Sequence, residues 1–139
     1  MIVLDTDHLT KLGYGTPPGR RLAGRIDRSS LEDVITIITV HEQMRGSMAR
    51  LAGARSVEDQ VLAYAGLAER MQLLSKFNHL PFDREAAALF LKLRKQGVRI
   101  GTMDLRIACI VMEHDAILLT RNTQDFEKVP GLKFANWLE

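Results

Sequence analysis

The stretch GTMDLRIACIVMEHDAILLT, residues 101–120, decides the fold. Thr102 is placed to cap a helix, and Leu105 to Met112 are apolar nearly all round it. Such a helix is central and buried. Ala116 to Thr120 follows directly as a short apolar run of core-strand length. Working outward, MIVL at residues 1–4 reads as a buried parallel strand, and Val34 to Thr39 (VITIIT) as a second, β-branched one. Leu80 to Phe82, with Pro81 inside it, is a small edge strand at best, and Leu132 to Phe134 a last short strand before an anchoring Trp137.

Helical segments alternate with these strands. One runs from Asp7 to about Leu12 and another from about Gly19 to Arg28. A third starts near Val40, carries Glu42 in its first turn and reaches about Leu51. Val57, Val61, Tyr64, Ala68 and Met71 recur at helical spacing and mark one face of a long helix. Asp83 is a good N-cap for the helix bearing Ala86, Phe90 and Leu93, which ends at Gly97. This alternation predicts an α/β fold, a mostly parallel sheet covered on both faces, in one domain spanning residues 1–139.

Composition narrows the function. With 46% hydrophobic and 26% charged residues, the 139-residue chain has the balance of a globular domain. No apolar run reaches the roughly 18 residues that span a bilayer, so no membrane role is expected. Residues 1–4 meet Asp5 without a basic leader segment, which predicts no signal peptide and a cytoplasmic location. The single cysteine, Cys109, reads as a buried thiol and excludes an internal disulfide or a cysteine-based zinc site. Net charge is only +2, yet Arg20, Arg21, Arg25 and Arg28 fall together, as do Lys92, Arg94, Lys95 and Arg99. Solvated helix faces would explain both groups, but so would a polyanionic substrate.

Four acids carry the chemistry. Asp5 ends the first strand, Glu42 follows VITIITVHE, Asp104 opens the apolar helix, and Asp125 lies in RNTQDF after AILLT. Each has a bland explanation. Asp5 would terminate a strand, and Glu42 and Asp104 would complement helix dipoles, while Asp125 would shape a loop. Asp7 reads as a helix N-cap. Acids delivered together to the carboxyl edge of a parallel sheet would repel one another unless protonated or neutralised by a cation. A hard divalent ion with oxygen ligands, Mg²⁺ or Mn²⁺, accounts for all four at once. The four histidines, His8, His41, His79 and His114, are too scattered for a histidine-based nuclease, and only His41 lies beside a candidate acid.

At these residues the chain resembles a known family. VLDTDHLT, the Glu-x-x-x-Gly of HEQMRG, GTMDLRIACIVMEHDAILLT and RNTQDFEKVPGL are similar to PIN-domain ribonucleases, in particular the VapC-like toxins of bacterial toxin–antitoxin pairs. The resemblance runs end to end, except that residues 53–80 carry no recognisable motif. It implies a PIN-like fold and a Mg²⁺- or Mn²⁺-dependent endoribonuclease acting on structured RNA. It further implies a cognate antitoxin and a homodimer. By position, Asp5 and Asp104 match the principal metal-binding aspartates, Glu42 the glutamate and Asp125 the variable fourth acid. Thr6, Thr120 and Asn122 match polar positions beside the site, and Arg45, one turn after Glu42, is placed to meet a substrate phosphate or, equally, the solvent or the antitoxin. Asp7 stands where many such toxins have asparagine and is given no metal role.

Other classes compete. Asp5-Thr6-Asp7 also fits a haloacid-dehalogenase-type phosphatase, although Leu9 stands where that pattern needs Thr or Val and no suitable later lysine follows a strand. A phospho-receiver domain would need an aspartate near residue 39, where the chain has Thr39, Val40 and His41. A non-cleaving PIN-like module that binds RNA or protein is the remaining alternative.

Overall fold

The structure, a computed structural model, describes residues 1–139. Its elements are β1 (Ile2–Leu4), α1 (Thr6–Tyr14), α2 (Pro17–Ser29), β2 (Asp33–Thr36), α3 (Ile37–Ala52) and α4 (Val57–Ser75). They continue with β3 (His79–Leu80), α5 (Arg84–Lys95), α6 (Thr102–Glu113), β4 (Ile117–Leu119), α7 (Thr123–Phe126) and β5 (Phe134–Ala135). The strands form one sheet in the order β3-β2-β1-β4-β5, and every pairing is parallel. The α/β expectation holds.

Strand periodicity explains why both faces must be covered. Val3, Val34 and Leu118 point into a core shared with α5 and α6, including Ala86, Leu93, Leu105, Ile107 and Ile110. Their neighbours Ile2, Leu4, Ile35 and Leu119 point the other way, onto Leu9 of α1, Leu22 and Ile26 of α2 and Leu74 of α4. Successive side chains alternate across a strand, so a run that is apolar at every position needs two cores. Residues 105 and 107–111 of α6 are all buried, as the sequence predicts, and Cys109 is a buried free thiol. No helix is long and apolar enough to cross a membrane.

Several boundaries differ from expectation. The strand expected to reach Thr39 stops at Thr36, whose hydroxyl accepts the Thr39 N–H at 3.1 Å and caps α3. Ile37, Ile38, Thr39 and Val40 therefore form the first turn of a helix despite their β-branching, a case of context overriding propensity. Glu42 consequently lies in the second turn, beyond the reach of the helix-end dipole. Asp7 does not cap α1. That role belongs to Asp5, whose Oδ1 accepts the Thr6 N–H at 2.9 Å. Gly101 is the N-cap of α6 and Thr102 its first residue. Asp83 caps α5 as expected, accepting the Ala86 N–H at 3.0 Å, but that helix ends at Lys95 and Gly97 (φ +91°) turns the chain after it. Gly19 is demanded by packing, because a β-carbon there would drive into the Lys11 carbonyl oxygen where α2 crosses α1.

The long helix α4 exists, but its apolar stripe faces outward. Val57, Val61, Tyr64 and Met71 are 76%, 62%, 62% and 57% exposed, while Ala63 and Leu74 of the same helix are buried. A stripe at helical spacing normally seats a helix on its own core. Here the helix turns Ala63 and Leu74 inward and leaves the larger side chains of the stripe exposed.

Candidate active site

Three of the four acids reach the carboxyl edge of the sheet directly from strand ends or the helix after them. Asp5 follows β1, and its N–H donates to the Leu119 carbonyl at 2.9 Å, fixing the turn against β4. Its Oδ2 accepts the Thr120 hydroxyl at 2.9 Å. Thr120 is itself buried, and its Oγ1 also accepts the Asn122 N–H at 3.0 Å. Asn122 then spans two acids. Its Nδ2 donates to Asp104 Oδ2 at 3.3 Å and to Asp125 Oδ2 at 3.1 Å. Asp104 stands in the first turn of α6, and Asp125 in the short α7 rather than a loop. Glu42 projects from α3, the helix that β2 feeds.

The electrostatics of the acids reflects their closeness. Burial, the charge of Asp5 and then that of Asp104 hold the Glu42 carboxyl above its usual range, and Arg45 partly offsets this. The Asp104 carboxyl is raised by burial, then by Asp5 and Asp125, against the Asn122 bond. Asp5 is raised mainly by burial, while the Thr6 N–H and the Thr120 hydroxyl pull it back. Like charges thus act along the series Glu42, Asp5, Asp104 and Asp125, and the fold brings all four to one place. Asp7 is exposed and contributes only a weak repulsion on Asp5.

The side chains present fit a hard divalent ion. Every donor is oxygen, and three carboxyls carry the repulsion a cation would relieve. No three of the four acids bring their oxygens within 4.8 Å of one another, a spacing reached instead by Asp83, Glu85 and Glu113. A wider ring suits Mg²⁺, which keeps several of its waters and takes few carboxylates directly. The Asp83 group has Glu85 and Glu113 exposed to solvent and Asp83 engaged in capping α5. Asp125 differs from the other three, because its Oδ1 lies 3.6 Å from Lys128 Nζ.

Thr6, Thr120, Asn122 and Arg45 all lie at the site. Thr6 serves through its N–H, Thr120 and Asn122 through side chains, and Arg45 through its charge on exposed α3 surface. His8 escaped sequence reasoning. It is fully buried on α1, and its Nε2 accepts the Trp137 N–H at 3.1 Å, 129 positions away. Burial pushes its imidazole down to about 4, so it is neutral and the acceptor nitrogen is free. Its Nδ1 has no partner. No local pattern announces a bond over that separation, though Trp137 as an anchor was legible.

The sheet is parallel throughout, and acids from β1, α3, α6 and the segment after β4 gather at its carboxyl edge. Residues 2–132 match the PIN domain family, and the chain belongs to it. It is similar to the VapC ribonuclease Y4jK of Sinorhizobium fredii, at 33% identity over 98% of this chain and 96% of the relative. It is also similar to Ribonuclease VapC1 of Haemophilus influenzae, at 29% identity over 97% and 96%. The solved structure of VapBC-1 from nontypeable Haemophilus influenzae superposes with a TM-score of 0.75 at 27% identity, over 100% of each chain.

Proposed function

We propose that this protein is a Mg²⁺- or Mn²⁺-dependent endoribonuclease toxin that hydrolyses phosphodiester bonds of structured RNA and is neutralised by a cognate antitoxin. The observation that carries this reading is the convergence of Asp5, Glu42, Asp104 and Asp125, three of them with raised carboxyl pKa values. The relatives named as VapC ribonucleases support the activity, and the VapBC-1 likeness supports the partner. Asp5, Asp104 and Glu42 would hold the ion, with Asp125 as the outer acid because Lys128 already balances part of its charge. A bound divalent ion would acidify a water for in-line attack and offset charge on the leaving oxygen.

The chain's own groups do the positioning. Thr120 and the Thr6 N–H hold both oxygens of Asp5, leaving its orientation fixed before substrate arrives. Asn122 sets Asp104 and Asp125 relative to each other. Arg45, exposed one turn after Glu42, offers a cation to a substrate phosphate. An antitoxin arginine reaching these carboxylates would replace the metal's charge, which gives inhibition a simple physical basis. The exposed Val57, Val61, Tyr64 and Met71 face supports association with a protein partner or a second copy.

Incubation of the purified, partner-free chain with total bacterial RNA tests the activity. Discrete fragments are expected in Mg²⁺ or Mn²⁺, with 5′-phosphate and 3′-hydroxyl ends, and none in EDTA or with Asp104→Asn. Ends carrying 2′,3′-cyclic phosphate would overturn the metal-hydrolysis mechanism, since they report attack by the RNA's own 2′-hydroxyl. RNA binding without cleavage in any divalent ion would favour the non-cleaving module. Growth arrest by the chain alone, relieved by its neighbouring antitoxin, tests the toxin role.

A further inference from the structure

We propose that the arginines of α2 and the C-terminal segment around Trp137 form a phosphate-binding groove that leads an RNA strand into the acidic cleft. This rests on the ribonuclease reading above and adds a binding site to it. Arg20, Arg21, Arg25 and Arg28, with Trp137 and Glu139, line a groove of about 320 Å³. All four guanidinium groups are on exposed residues, and Glu139 is the one acidic residue in the lining. The sequence leaves this cluster open between a solvated helix face and a surface for a polyanion, and the tertiary structure adds the groove and Trp137 beside it.

Two features make the groove more than a solvated helix face. First, it is built. The Arg25 guanidinium lies 4.4 Å over the Trp137 ring, a cation–π contact that orders the side chain in advance. Gly24 leaves room for Arg28, whose Nη1 would stand only 3.2 Å from a β-carbon at that position. Arg20 is held as well, its Nη1 donating to the Gly15 carbonyl at 2.6 Å. The choice of arginine throughout also matters, because its planar fork grips phosphate oxygens in pairs and a lysine does not.

Second, the groove is joined to the active site by short, fixed links. The Trp137 N–H is bound by His8, three residues along the chain from Asp5. Two residues before Trp137, the Ala135 carbonyl accepts the N–H of Thr120, the residue that holds Asp5. Exposed Arg121 follows Thr120 and lies near enough to His8 for its charge to lower that imidazole further. Arg121 thus stands on the His8 side of this link and Arg25, with Arg21 and Arg28, on the Trp137 side, so basic side chains flank it on both sides. A polyanion whose scissile phosphate sits at four carboxylates needs such a counter-charged surface for its flanking phosphates.

Fluorescence anisotropy with labelled bulk tRNA, a compact structured RNA, tests the groove in EDTA, where nothing is cut. The full-length chain, Arg25→Ala/Arg28→Ala, Arg25→Lys/Arg28→Lys and Lys92→Ala/Lys95→Ala are compared across a salt series, each checked for fold by circular dichroism. The alanine pair is expected to bind about ten- to a hundredfold more weakly, with a salt slope shallower by about 0.7–0.9 for each phosphate that is no longer neutralised. The lysine pair should keep the slope while binding more weakly than the parent. Lys92→Ala/Lys95→Ala, at the end of α5, should bind within about twofold of the parent. Unchanged affinity in the α2 alanine pair, an equal weakening in the α5 pair, or no RNA binding by the parent chain would overturn the groove. Cleavage by the parent chain in Mn²⁺ is scored separately. Parental rates of cleavage by the α2 alanine pair sink the groove alone, whereas groove-dependent binding without cleavage sinks the nuclease reading alone.

Discussion

Thr120 and Asp5 are joined across 115 positions of chain by a single hydrogen bond, Oγ1 to Oδ2 at 2.9 Å. The same hydroxyl oxygen accepts the Asn122 N–H, so one buried side chain sets the first acid and the strand-to-helix turn that carries Asn122. Thr120→Val removes both bonds while keeping the shape. Loss of two buried bonds should destabilise the fold by about 1–3 kcal/mol. The Thr120 hydroxyl lowers the Asp5 carboxyl, so its removal raises that group further and moves the acidic limb of the cleavage profile to higher pH. Thr120→Ser should restore the limb. A profile that does not move in Thr120→Val would show that the Thr120 hydroxyl does not set the Asp5 carboxyl, leaving burial and the Thr6 N–H to do so.

The crowded carboxyls make activity and stability oppose each other. Raised folded-state carboxyls at Asp5, Glu42 and Asp104 mean that, without metal, stability is fullest below the unfolded value near 4 and falls as pH rises through the folded values. Glu42→Gln and Asp104→Asn should therefore raise the metal-free Tm at pH 7 by roughly 2 °C or more. Both should reduce cleavage by about 100-fold or more. Thermal melts in EDTA check the first part, and a fall in Tm for both variants would refute charge crowding.

Metal should reverse that penalty. Mg²⁺ is expected to raise the Tm of the parent chain more at pH 7.5 than at pH 5, because deprotonated carboxylates bind it and protonated ones do not. The shift should shrink in Asp104→Asn. An equal shift at both pH values would place the metal's main contact outside the raised acids.

His8 has the opposite dependence. Burial depresses it to about 4, so its contribution to stability is present above about 6.5 and is lost as pH falls toward 4. In that window the slope of unfolding free energy against pH should flatten in His8→Leu, by at most about 1.4 kcal/mol per pH unit. The variant also strands the Trp137 N–H, so it should be less stable at pH 7. Denaturant titrations at several pH values measure both effects. An unchanged slope would mean that His8 is reached by water.

The outward stripe of α4 predicts a surface that is used. Val61→Glu and Tyr64→Glu change residues more than 60% exposed, so each should leave the Tm of the isolated chain nearly unchanged. Either should weaken assembly with the antitoxin or with a second copy, read by light scattering on a sizing column. Intact assembly in both would assign the interface to another face.

Much of the fold was legible in the sequence because it is local. Ile2 to Leu4, Val34 to Thr36 and Ile117 to Leu119 are apolar or β-branched without alternation, which a strand buried on both faces requires, and α6 is apolar nearly all round. The errors came where a neighbouring cap or the surrounding packing outweighed propensity and spacing. Ile37 to Val40 has strand propensity, but a buried Thr36 caps it into a helix. Asp7 has good capping chemistry, yet Asp5 stands earlier in the chain and takes the role. Val57, Val61, Tyr64 and Met71 have core spacing, and spacing alone says that a helix has an apolar face without saying what covers it.

Periodicity and capping act over a few residues, so the amino-acid order was enough to mark most strands and helices, the parallel sheet and the four acids at strand and helix ends. The contacts between distant segments came from the folded chain. Asn122 spans Asp104 and Asp125, Thr120 holds Asp5, His8 grips Trp137, and Arg25 rests on Trp137. The Thr120–Asp5 bond depends on the pairing of β1 with β4, and the two contacts of Trp137 on how the tail returns beside α1 and α2. Their partners are set by the closure of the whole sheet, a long-range property that no short window of sequence contains.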